Sequence, residues 1–110
     1  MTTTPRPHHA SLAGGRWQEL SLAEQLANVG SEVGRMRRHA EPASAPAFER
    51  ALELLDLPLA DPRWKGRRKE IARARELLCD AALGGREYGT TLEALDRYFL
   101  AFAVLARRGR

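Results

Sequence analysis

Leu22, Leu26, Val29, Val33 and Met36 stand four, three, four and three residues apart. This spacing puts all five on one stripe of an α-helix, whereas in a strand it would scatter them over both faces. A helix with one apolar stripe has to bury it against another element. Ser21 and Glu24 mark the start, as a capping box in which each side chain satisfies the other's backbone N–H. The helix is expected to reach about His39. Gly30 and Gly34 lie inside it, each costing roughly 1 kcal/mol relative to Ala, and close approach by a neighbouring helix is the physical reason to tolerate them.

The same periodicity recurs three times. Residues 40–47 hold two prolines and read as a connection, with Ser44 placed to cap a second helix and Pro46 in its first turn. Phe48, Leu52, Leu55 and Leu59 form that helix's stripe, and Pro58 is expected to end it near Leu57. Asp61 followed by Pro62 predicts the start of a third helix. Its buried face is Trp64, Ile71, Ala74, Leu78 and Ala81 or Ala82, and Gly84 and Gly85 suit a left-handed stop. Thr90 and Glu93 form a second capping box before a fourth helix carrying Leu92, Leu95, Phe99, Phe102 and Ala106. The expected fold is all-α: a four-helix bundle of up-down topology with short loops over residues 17–108. Residues 1–16, rich in Thr, Pro and Gly, are expected to be a disordered tail. Its His8 and His9 lack a third ligand, so no metal site is expected there.

The fourth helix has more apolar surface than one stripe can hide. Leu100 and Val104 lie opposite Leu95 and Phe102, and Tyr98 and Leu105 widen the arc. In a bundle of four helices each keeps an outer face, so these four residues are the candidate interface of a homo-oligomer.

Of the 110 residues, 18 are Lys or Arg and 14 are Asp or Glu, giving a net charge of +4. Such a balance favours anionic partners, nucleic acid first. The densest basic run opens the third helix, where Lys65, Lys69 and Arg73 form a ladder on the outer face and Arg68 flanks the apolar face. Arg35 and Arg38 would join them if the first helix lies nearby. The alternative is a solvated helix laced with (i, i+3) and (i, i+4) ion pairs, and an incidental charge on a module that binds other proteins.

Catalysis has little to stand on. No serine has a visible base, no glycine-rich phosphate loop follows a strand, and no cofactor or small-molecule substrate is implied. Arg35 and His39 are similar to the Arg and His pair of HEPN-type ribonucleases, at a shorter spacing than that motif, which keeps a ribonuclease open as a lesser alternative. Cys79 is the only cysteine, which excludes an internal disulfide, and it is expected to be a buried small hydrophobe. The longest apolar stretch falls far short of a membrane span and the N-terminus lacks a signal-peptide core, so the chain is expected to be cytoplasmic and to have no membrane partner.

From Trp17 to Arg107, the segments SLAEQLANVGSEVGR, FERALELLDLPLADPRW, ARELLCD and EYGTTLEALDRYFLAF resemble a family of short bacterial proteins of uncharacterised function. In size, basicity and helix count the chain also resembles the four-helix bundles that include the accessory variability determinant (Avd) of diversity-generating retroelements and the proteins of ribosomal RNA intervening sequences. That likeness implies a ring-like homo-oligomer with a basic surface that binds RNA and a reverse transcriptase, and it carries no functional residue across.

Overall fold

The computed structural model describes residues 20–108. The expected tail, residues 1–16, and residues 17–19 lie outside the described part. Within it are four α-helices and no strand: α1 (Leu22–Arg37), α2 (Pro46–Ala60), α3 (Arg68–Ala82) and α4 (Leu92–Arg108). Short 3-10 segments, Pro42–Ser44 and Pro62–Arg67, precede α2 and α3. None of these helices is long and apolar enough to cross a membrane.

The capping box of α1 is formed as expected. Ser21 Oγ accepts from the Glu24 N–H at 3.1 Å, and Glu24 Oε1 accepts from the Ser21 N–H at 3.1 Å. The helix closes at Arg37, where the N–H groups of Arg38 and His39 turn back to the carbonyls of Arg35 and Met36. All five stripe residues are buried.

The expected start of α2 is corrected. Ser44 belongs to the preceding 3-10 turn, with its N–H bonded to Glu41, and Ala45 precedes the helix with no side-chain cap. Pro46 at the first helical position has no N–H to satisfy, which reduces what a cap could contribute. The end is corrected as well: α2 passes through Pro58 to Ala60. The Pro58 ring is fully buried, and that burial offsets the hydrogen bond its missing N–H forgoes. The deepest face of α2 is Ala47, Ala51, Leu54 and Leu55, while Phe48, Leu52 and Leu59 pack at the core edge. Two alanines among the deepest residues are weak signals in a hydrophobic pattern, and they let the backbones approach.

Asp61 caps as expected, its Oδ1 accepting from the Arg63 N–H at 2.9 Å, but the residues after it form the 3-10 segment, with Trp64 outside helical geometry (φ −105°, ψ 22°). The indole Nε1 donates to Gln25 Oε1 on α1 at 3.0 Å, so Trp64 is fastened to another helix. Helix α3 proper starts at Arg68, buries Ile71, Ala74, Leu78, Ala81 and Ala82, and stops at Gly84 and Gly85 in left-handed conformation (φ 102° and 73°). Cys79 is partly exposed, not buried, because it sits beside Leu78 at the edge of the apolar stripe.

The cap of α4 is one residue later than expected. Thr91 Oγ1 accepts from the Ala94 N–H at 3.1 Å, while the N–H of Thr90 is taken by Asp80 Oδ2 at 3.2 Å.

Helix α1 holds the core together, packing most extensively on α4 and next on α2; α2 packs on α3, and the contact between α3 and α4 is the slightest of the four. The α1–α4 crossing passes directly over Gly30. A Cβ there would stand 2.8 Å from Phe99 Cβ, and Phe99 is fully buried. Gly34 has no neighbour within 4 Å of where its Cβ would be. Of the two expected close approaches, only the first exists.

Candidate nucleic-acid interface

Most arginines of the described residues are answered by carboxylates. Arg50 and Arg35 share the buried Glu32, each at 3.1 Å, and Arg37 reaches Asp96 at 2.6 Å. Arg63 pairs with Asp61 at 2.8 Å, Arg67 with Glu70 at 2.7 Å, and Arg75 with Asp56 at 2.8 Å. Arg73 lies 3.4 Å from Glu76 and 4.5 Å from the Tyr88 ring centroid, so its guanidinium is occupied on its own surface. The solvated-helix reading therefore describes Arg67 and Arg73 well.

Lys65, Arg68 and Lys69 are different. They are exposed, they stand within one turn of one another where the 3-10 segment passes into α3, and among the described residues none has a carboxylate partner. Contacts of Arg63 with Leu20 and of Trp64 with Gln25 fasten the segment that carries this patch beside the start of α1. Arg63 adds to the local order: it donates to the Leu20 carbonyl at 3.1 Å and its guanidinium lies 4.6 Å from the Trp64 ring centroid. Its hydrogen bonds hold the Asp61 carboxyl below its ordinary range, against the opposing effect of burial.

Arg35 and Arg38 do not join this patch. Trp64 meets α1 at Gln25, and Arg35 is ten residues further on, about 15 Å along the helix axis. That end of α1 faces the start of α4 through Arg37 and Asp96. Arg38 is exposed and without a carboxylate partner among the described residues, but it stands alone. His39 is exposed there too, its Nδ1 accepting from the Glu41 N–H at 3.1 Å.

The four candidate interface residues divide. Leu100 and Leu105 are 58% and 55% exposed, and Val104 is half-buried. Tyr98 already has partners within the chain. Its hydroxyl donates to Glu70 Oε1 at 3.2 Å and its ring packs edge-on against Phe99 and Phe102. Burial, with the neighbouring Glu70 charge, pushes its phenol up to about 12. Beside it, a groove of about 410 Å³ runs between α3 and α4 over Ala74, Leu77 and Ala94.

One structural device carried no motif. Asp80 is buried, and its carboxylate accepts from the backbone N–H groups of Glu87 at 2.9 Å and of Tyr88 and Thr90 at 3.2 Å. Burial works to raise its pKa, and the three amide donors together with the Thr90 side chain outweigh it, so the carboxyl is held below its ordinary value. The available signal was an acidic residue in the buried register of Leu78 and Ala81, one turn before a glycine pair. Among the described residues, no group of three or more His, Cys, Asp or Glu side chains is placed to hold a metal.

Comparison with known protein families, with curated proteins and with solved structures finds no match to this chain.

Proposed function

We propose that this protein acts by binding and not by catalysis, as a self-associating helical adaptor whose patch of Lys65, Arg68 and Lys69 takes the phosphate backbone of a nucleic acid. One observation carries the reading: three adjacent exposed cations lack carboxylate partners in a molecule that pairs most of its other arginines internally. Cations already neutralised by their own protein release few counterions on meeting a polyanion; free ones release them, and that release drives sequence-independent binding. The resemblance to accessory variability determinants points the same way, toward RNA and a reverse transcriptase, and of those partners the polyphosphate is what this patch chemically fits. Arg35 and Arg38, at the other end of α1, are not part of the proposed contact.

Titration of RNA and DNA across a range of salt tests the reading. Three phosphate contacts give a slope of log K against log salt of about −2 to −3. The triple variant Lys65→Glu, Arg68→Glu, Lys69→Glu should lose at least that slope, while Arg35→Glu with Arg38→Glu should change it little. Absence of binding at low salt, or affinity unchanged in the triple variant, overturns the proposal. The same samples read out cleavage, and strand scission abolished by His39→Ala would replace an adaptor with a ribonuclease.

A further inference from the structure

From the charge pattern of α4 we infer that its outer face pairs with the same face of a second copy, antiparallel, about a two-fold axis between Leu100 and Ala101. The inference deepens the self-association in the proposed function and does not depend on nucleic acid.

At 100° per residue Glu93, Arg97, Leu100, Ala101, Val104 and Arg108 share the side of α4 turned away from α1. All are exposed except Val104, which is half-buried. The apolar residues occupy the middle of this face, with an acid at one end and a base at the other. Arg97 and Arg108 have no carboxylate partner among the described residues, and Glu93 has only a loose one, Arg37 at 4.0 Å, with 60% of its side chain exposed.

This order of charges selects the direction of pairing. A parallel pair would set Glu93, Arg97 and Arg108 each against its own counterpart, like charge on like charge. An antiparallel pair centred between Leu100 and Ala101 sets Glu93 against the partner's Arg108 at both ends, and Leu100 against the partner's Ala101 in the middle. The small alanine allows the two backbones to come close, and the long Arg97 stem can lie along the partner's Val104 with its charge in water. The two helix dipoles also oppose each other favourably.

The α3–α4 groove fits the same arrangement. It borders the flank of α4 that carries Ala94 and Tyr98, and Leu105 lies on that flank. In an antiparallel two-fold pair equivalent flanks face the same side, so the partner's Leu105 comes level with Ala94 and Tyr98, at the mouth of the groove. Both α3 helices, with their Lys65 to Lys69 patches, then lie on one side of the pair. A helix of 17 residues is about 25 Å long. One such face falls short of the roughly 800 Å² per partner of a stable complex, so the pair should form at micromolar concentration and above.

Sedimentation of the full chain over a concentration series measures the pairing. Glu93→Arg alone and Arg108→Glu alone should each weaken it about tenfold, since each change acts at two symmetric ion pairs, and the double swap should restore it. In a Cys79→Ser background, mild oxidation should link Leu100→Cys chains to one another. It should also link a Glu93→Cys chain to an Arg108→Cys chain, and leave Glu93→Cys chains alone unlinked. Linking of Glu93→Cys chains to each other, or a dimer indifferent to the charge variants, overturns the antiparallel face while self-association stands. A strict monomer at hundreds of micromolar overturns both.

Discussion

The two sides of α4 are built differently. Toward α1 the helix is seated with no room to spare: Phe99 is fully buried and its Cβ occupies the space a side chain at residue 30 would need. Toward α3 the contact is slight, a groove remains open, and the connection is polar: the Tyr98 hydroxyl on Glu70, and a loop tied to Asp80. A small bundle can thus place a helix by one close crossing and leave its other flank to hydrogen bonds.

Phe99→Ala should break the tight side outright, lowering stability by about 3–5 kcal/mol, read as a fall in the urea midpoint with an unchanged slope. The glycines sharpen the comparison, because the same substitution should act with opposite sign one turn apart. Gly30→Ala forces its methyl into Phe99; overpacking of roughly 1–3 kcal/mol should exceed the helix-propensity gain of about 1 kcal/mol or less, leaving a modest net loss. Gly34→Ala meets nothing and should stabilise by about 0.5–1 kcal/mol. Equal shifts for the two would mean that the crossing is not centred where Phe99 stands.

On the polar side the effect is smaller and depends on pH. The Tyr98 phenol is raised from 10.0 to about 12 in the folded chain, so folding favours its protonated form. Its contribution is complete below pH 10 and is lost as pH rises from 10 toward 12. Tyr98→Phe should cost about 1 kcal/mol or less at neutral pH and should remove that share of the alkaline loss. Denaturation midpoints of the two proteins that fail to converge between pH 10 and 12 would contradict the assignment.

The four helices were legible from the apolar spacing, and the Ser21 and Glu24 cap marked a start to the residue. What could not be read came from contacts between elements. Gly30 and Gly34 are indistinguishable until Phe99 is placed over one of them. Thr90 reads as a cap until Asp80 takes its N–H, and Pro58 reads as a helix stop until the core takes its ring. The basic run before and along α3 was visible as composition, but which cations remained available depended on where Glu70, Glu76 and Tyr88 came to rest. Only then does the patch shrink to Lys65, Arg68 and Lys69, and only the position of Trp64 on α1 separates it from Arg35 and Arg38.

The Asp80 clamp also governs time. A nine-residue loop on the surface ordinarily gives up its amide protons to solvent within moments, yet those of Glu87, Tyr88 and Thr90 are held by a buried carboxylate. Each can exchange only while its bond to Asp80 is open, so slowed exchange at all three, lost together in Asp80→Asn, is the expected mark of one carboxylate holding the turn.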